Sequence, residues 1–450
     1  MHKRTLIAYV LFFILLAAVG WGRSWSLALT VLNLCLISAL MSLAVNIQWG
    51  YAGLFNVGIM GFAALGGLAV VLVSHSPVAA AWEAGGNGLL QALAIIIISG
   101  VIATVLRRQR RNKWLPTVIV IIGILVAGHF YQAATSAIES VNSAKTGFLG
   151  GLGLPVLLSW IGGGLLAAAA AWLVGKIALG LRADYLAIAT LGISEIIIAV
   201  LKHEDWLSRG VKNVTGLARP VPREIILQQS DTFVRAVEWF DRSALSGLDE
   251  AAREATLHTL VINASSIVVK LCYAGLFLAV LLTVLLLCEL ALNSPWGRMM
   301  RAIRDDETAA AALGKDVKKC HLQIFILGSA IAGIAGAMLT TLDGQFTPGA
   351  YHPLRFTFLI WVMAIVGGAG NNLGAVLGGA FIWLMWVEAE PLGIKLVDVA
   401  TIWLDNDNAL RLHLLANAQH MRLLFMGLVL LLVMRFAPGG ILPERVRRDD

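Results

Sequence analysis

The sequence predicts an all-α polytopic membrane protein of about ten transmembrane helices, with internal repeats and glycine-rich broken or re-entrant helices. Three observations carry that prediction. Of the 450 residues, 58% are hydrophobic and only 14% charged, too little charge to cover a soluble protein of this length. Apolar runs of about 18 residues or more recur, each long enough to cross a bilayer as a helix. Two of the runs are interrupted by clustered glycines rather than by charge.

The apolar segments fall at 5–21, 27–48, 54–74, 89–106, 115–131, 154–176, 184–201, 265–292, 320–342, 356–387 and 421–437. The first follows Lys3 and Arg4 and has the outline of a signal peptide. An uncleaved span is expected, because a second span follows at once. The run at 356–387 exceeds one ordinary span and is expected to fold back at its glycines. Basic residues gather between spans: "RRQRRNK" (107–113), the stretch 297–319, and Arg445, Arg447 and Arg448 near the end. Such loops belong in the cytoplasm, which puts both termini inside. The segments 202–263 and 388–420 mix signs and suit the outer side. The chain then divides into an N-terminal transmembrane half (1–201), a soluble insertion (202–263) with one or two short helices, and a C-terminal half (264–450) that includes the cytoplasmic loop 294–319.

The net charge of +7 comes from the loops between spans, so no nucleic-acid partner is expected. Cys35, Cys272, Cys288 and Cys320 are scattered without a CxxC pair, which argues against disulfides and zinc. The chain has no phosphate-binding loop, no HExxH, no GxSxG context and no His/Cys cluster. No catalytic or metal site is expected, and a membrane enzyme is disfavoured. Ionisable residues within spans are few. Glu195 is the best candidate for a buried one, as a proton site or a structural carboxylate; Lys270 and Glu289 can sit near span ends.

The glycine stretch "GYAGLFNVGIMGFAALGG" (50–67) has a partner in "IVGGAGNNLGAVLGGAF" (365–381). Gly50 and Gly53 align with Gly367 and Gly370, Gly368 standing between the latter two. Gly58 then aligns with Gly374, and Asn56 with Asn371 and Asn372. Paired, glycine-interrupted segments in two halves point to a transporter whose broken helices meet near the bilayer midplane around a substrate path. Unwound backbone at that depth must face protein or a water-filled cavity. Small-residue helix packing also uses glycine, and it accounts for 328–339 and 162–171.

The loop 294–319, "SPWGRMMRAIRDDETAAAALGKDVKK", reads as two short helices. Ser294 can cap the first and Pro295 suits its first turn. Asp305 and Asp306 can cap the second, and Gly314 suits its end. A rigid cytoplasmic knob of this kind can dock into a partner and transmit its motion.

In order along the chain stand the first glycine stretch, "LRADYLAIATLGISEII" (181–197), "GRMMRAIRDDETAAAALGKDV" (297–317), the second glycine stretch and "FAPGGILPE" (436–444). This series resembles the permease subunit of ATP-binding-cassette importers of the branched-chain amino acid type, the LivM-like permeases. The resemblance implies an importer of branched-chain or other hydrophobic amino acids across the bacterial inner membrane. It would be assembled with a second permease subunit, two cytoplasmic ATP-binding subunits carrying the ATP and Mg, and a periplasmic binding protein. It implies ATPase coupling by Arg298, Arg301, Arg304, Asp305, Asp306, Glu307 and Gly314. It also implies a translocation path at Gly50, Gly53, Asn56, Gly58, Gly367, Gly368, Gly370 and Gly374. The chain departs from the family pattern at Asn56, Ile59, Asn371 and Asn372. It is also longer than usual at 202–263 and 388–420. Urea and short amides are alternative substrates, and a gradient-driven carrier acting alone is the alternative class.

Overall fold

The computed structural model describes residues 2–108, 114–142, 146–405 and 408–444. The basic runs at 109–113 and 445–448 lie outside the described residues. The chain is helical almost throughout, as its periodicity and apolar runs require. We number the principal helices α1 (His2–Gly22), α2 (Trp25–Val45), α3 (Ile59–Ser74), α4 (Asn87–Arg108), α5 (Leu115–Ser140), α6 (Val156–Ala178) and α7 (Ala183–His203). There follow α8 (Glu250–Asn293), α9 (Pro295–Asp305), α10 (Glu307–Ala312), α11 (Val317–Asp343), α12 (Pro353–Gly367), α13 (Asn372–Ala400) and α14 (Met421–Phe436).

Among the described residues, nine helices are long and apolar enough to cross a membrane, and α3 and α12 are shorter apolar helices. The 356–387 run does break: α12 ends at Gly367 and α13 starts at Asn372. The first glycine stretch breaks likewise. α2 passes through a π-helical turn at Asn46–Gly50, the chain is irregular from 53 to 58, and α3 begins at Ile59. The break shortens the expected 54–74 span to the 16 residues of α3. At the far end α13 outruns its apolar segment, continuing through Pro391 to Ala400.

α2, α3, α6, α11 and α13 form the buried centre, and α4 and α5 pair at its periphery. The two halves of the chain interlock, since α2 packs on α8 and α13 while α3 packs on α11. Small residues permit this. A Cβ on Gly66 would overlap the Gly333 carbonyl of α11, and one on Gly336 would overlap the Ala63 carbonyl of α3. The small-residue reading of 328–339 and 162–171 therefore holds for the centre.

The insertion at 202–263 carries the short helices Glu224–Gln228, Asp231–Phe240 and Arg242–Leu245. Its last residues belong to α8, which runs unbroken through 263 and 264, where the sequence suggests a boundary. Helix propensity is continuous there, and no glycine or proline intervenes. A two-residue antiparallel pair, Val214–Thr215 with Gln345–Phe346, ties the insertion to the α11–α12 connection. This strand end of the bundle lies opposite the end that carries α9 and α10.

Because Gly66 and Gly336 sit against backbone, Gly66→Val and Gly336→Val should each cost about 1–3 kcal/mol by forcing helices apart. Gly192 has nothing within 4 Å of an added Cβ, and Gly192→Ala should be nearly neutral. Thermal unfolding of the detergent-solubilised chain checks both expectations.

Candidate functional site

The two glycine breaks meet. A Cβ on Gly50 would lie 2.5 Å from the Gly370 amide nitrogen, so only glycine lets the two backbones touch. Asn46, in the π turn before the first break, bridges them. Its Oδ1 accepts from the Gly370 N–H at 2.8 Å and its Nδ2 donates to Asn372 Oδ1 at 3.0 Å. Asn372 Nδ2 donates in turn to Glu289 Oε1 at 2.9 Å, in the last turns of α8.

The expected asparagines divide their work. Asn56 Oδ1 accepts from Gly58 N–H at 2.9 Å, just before α3. Asn371 Oδ1 caps α13 by accepting from Gly374 N–H at 3.3 Å. The aligned Gly53 and Gly370 both take left-handed φ values, 69° and 80°. Gln48 fills the space beside Gly328, accepts from Asn56 Nδ2 at 2.9 Å and donates to the Phe325 carbonyl at 2.9 Å. Trp361 Nε1 donates to the Asn56 carbonyl at 3.1 Å. The "FAPGGILPE" segment closes the second break. Ile441 and Leu442 N–H donate to the Val366 and Gly367 carbonyls at 2.8 and 3.0 Å, and Asn371 Nδ2 donates to the Leu442 and Pro443 carbonyls at 3.2 Å.

The meeting point is not at mid-depth, as the sequence suggests, but at the α9 end of the bundle. Glu289 belongs to the last turns of α8, and Arg304 of α9 reaches the first break directly. The physical reason is the length of α2, whose 21 residues rise about 31 Å, enough to cross a ~30 Å core before the chain reaches the π turn and breaks. Of the expected path residues, Gly50, Asn56, Gly58, Gly367, Gly368, Gly370 and Gly374 are buried against protein, and Gly53 is exposed.

The loop residues separate into two groups. Arg298, Asp305, Asp306, Glu307 and Gly314 are exposed, whereas Arg301 and Arg304 are half-buried. Met300 and Ile303 anchor α9 in the core, and Trp296 Nε1 donates to Gln323 Oε1 of α11 at 3.0 Å. Ser294 occupies the capping position, but its hydroxyl donates back to the Ala291 carbonyl at 2.6 Å and caps nothing. Asp306, not Asp305, caps α10, accepting from Ala309 N–H at 2.9 Å. Gly314 takes the left-handed φ expected of a helix end.

Arg304 points inward. Its Nη1 donates to the Gly50 carbonyl at 2.5 Å and to both Glu444 carboxylate oxygens at 3.0 Å, and its Nε donates to Asp305 at 3.0 Å. Burial works against the charged guanidinium, but Glu444 and Asp305 together hold its pKa above the ordinary arginine value. Arg301 donates to the Leu292 carbonyl at 3.2 Å and Arg298 to the Asn293 carbonyl at 3.5 Å, closing the α8–α9 corner. Tyr51, Glu289, Arg301, Asn371 and Glu444 line a small polar cavity of about 260 Å³ beside the contact.

Asn46, Gln48 and Glu444 are absent from the sequence-derived site. A signal for the first two was available: "NIQWG" places an amide pair in an apolar run just before the glycines. Glu195 is exposed rather than buried. α7 packs its Thr190–Ser194–Ile198 face on the core, and Glu195 lies round the helix from it. Lys270 is a structural link, donating from Nζ to Ser26 Oγ at 2.6 Å and to the Ser26 carbonyl at 3.1 Å. Among the described residues no group of three or more His, Cys, Asp or Glu could hold a metal ion.

A family model described as the permease component of branched-chain amino acid transport systems matches residues 117–434. The LivM permease of the high-affinity branched-chain amino acid transport system of Escherichia coli K12 is 28% identical over 323 residues, 71% of this chain and 64% of that protein. A protein assigned as LivM in Methanocaldococcus jannaschii is 28% identical over 178 residues, 38% of this chain and 47% of that protein. The xylose transport permease XylH of E. coli K12 is 30% identical over 138 residues, 29% of this chain and 34% of that protein. The chain thus spans about half to just under two thirds of the length of these LivM relatives. No solved structure matches.

Asn46→Leu strands the Gly370 amide and the Asn372 carboxamide and should cost about 1–3 kcal/mol. Asn372→Leu should cost a similar amount. The two changes together should cost clearly less than their sum in chemical unfolding of the solubilised chain; strict additivity would mean that the bridge does not couple the breaks.

Proposed function

The chain belongs to the family of permease components of branched-chain amino acid transport systems, and from that membership we propose that it is one of two permease subunits of an ATP-driven importer. Its substrates are branched-chain or other hydrophobic amino acids. Two cytoplasmic ATP-binding subunits carry the ATP and Mg, and a periplasmic binding protein delivers substrate at the strand end. In this reading the α9 end faces the cytoplasm of a bacterial inner membrane, with both termini on that side.

The observation that supports the reading best is the double face of the α9–α10 knob. Outward it presents Asp306, Glu307 and Leu313, the last 81% exposed. Inward, one turn away, Arg304 holds the Gly50 carbonyl and Glu444. A partner that displaces the knob therefore pulls on both glycine breaks, because Gly50 touches Gly370 and Glu444 lies against the second break. We assign the joined breaks as the cytoplasmic gate, closed in this conformation, with Gly50, Gly53, Asn56, Gly58, Gly367, Gly368, Gly370 and Gly374 as its backbone. Arg298, Asp305, Asp306, Glu307 and Gly314 belong to the docking surface, and Arg301 and Arg304 transmit. A carrier that works alone leaves the exposed knob without a role.

Copurification with the companion subunits, followed by ATP-dependent uptake in proteoliposomes, tests this directly. Leu313→Glu should reduce recovery of the ATP-binding subunits several-fold. Arg304→Gln should leave that recovery intact and lower uptake at least tenfold. Gly370→Leu should block uptake with the assembly preserved; normal uptake by this variant would overturn the gate assignment.

A further inference from the structure

A cavity of about 720 Å³ lies over the outer face of α12, between α7 and α14. Much of its wall is apolar, formed by Leu354, Phe358 and Leu359 of α12, Trp386 of α13, and Leu423 and Met426 of α14, and His352 and His420 also line it. Three charged side chains line it, Glu195 from α7, Arg355 from the first turn of α12 and Arg422 from α14. Arg422 is paired with Glu390. Among the described residues Glu195 has no hydrogen-bond or ion-pair partner, and Arg355 makes only ring contacts, with Trp386 at 5.1 Å and Phe356 at 5.7 Å.

Charged side chains left bare against lipid cost several kcal/mol each, and in spanning segments they face a partner, a ligand or water. The volume suits a small-molecule pocket, for which 300–1,000 Å³ is usual. An unpaired anion, an unpaired cation and an apolar wall around one space are complementary to a small zwitterion with an apolar side chain. We propose that this groove is a substrate site in this chain's half of the shared path. Arg355 takes the α-carboxylate, Glu195 takes the α-ammonium, and the Phe358–Trp386–Leu423 wall takes the side chain. Urea and short amides, which carry no charge, leave both residues unmatched. The proposal rests on the permease reading above and deepens it.

The test uses the assembled complex in proteoliposomes with leucine as probe. Glu195→Gln and Arg355→Gln should each raise the KM for uptake at least tenfold with companion subunits still copurifying at wild-type amounts. Arg355→Lys should stay within threefold of wild type. In a parallel arm, Leu354→Cys, which lines the cavity outside the Phe358–Trp386–Leu423 wall, is labelled with a membrane-impermeant maleimide. Leucine should protect it, whereas leucinamide and 4-methylpentanoate, each lacking one charge, should not. An unchanged KM, or equal protection by the two analogues, overturns the site. Loss of copurification in the charge variants does so too, making the groove a seam between subunits. If the wild-type chain supports no ATP-dependent uptake, the permease reading falls. The labelling arm then decides the site alone: protection by leucine only upholds it, and absence of protection ends it.

Discussion

Breaking a helix inside an apolar bundle frees N–H and C=O groups that the protein itself must satisfy. This chain does so twice and brings the two breaks together, so that each supplies what the other lacks. The Asn46 carboxamide is the joint: one side accepts the Gly370 N–H and the other donates to Asn372. Gln48 and Asn56 complete the first break, and the backbone of Ile441 and Leu442 satisfies carbonyls at the second. The glycines make the contact sterically possible, but the amides make it tolerable.

From that joint the remaining arrangement follows. α8 must end beside it, so that Glu289 can take the second Asn372 bond. α9 must turn under it, so that Arg304 can reach the Gly50 carbonyl, and the C-terminal segment must fold back to bring Glu444 to the same guanidinium. Residues that stand some 140 and 250 positions apart in the chain are thus tied to one arginine, the same arginine whose helix carries the exposed knob. Separating the breaks would require several of these bonds to exchange together, an arrangement that favours two discrete states over gradual yielding.

Most of the architecture was legible from residue patterns. Apolar length gave the spans, and the doubled glycine grammar gave the breaks. Pro295, Asp306 and Gly314 marked the limits of α9 and α10. What the sequence could not show was depth and direction. Nothing local says that the breaks meet at the α9 end, because that depends on how much of α2 is spent before Asn46. Arg304 and Arg298 read alike as basic loop residues, and only the packing of Met300 and Ile303 turns the first inward. Glu195 read as buried because its neighbours are apolar, yet the face of α7 that meets the core runs through Leu186, Thr190, Ser194 and Ile198 instead.

α8 has a further consequence. Its 44 residues run without interruption from the mixed-charge insertion to the corner with α9, roughly 66 Å at the helical rise. Close to its middle, Lys270 is fastened to Ser26, and Asn33 donates to the Lys270 carbonyl. The far end of α8 meets Asn372 through Glu289, Arg301 through Leu292 and Arg298 through Asn293. One continuous helix therefore joins the insertion on one surface of the bundle to the glycine breaks and the α9 corner on the other.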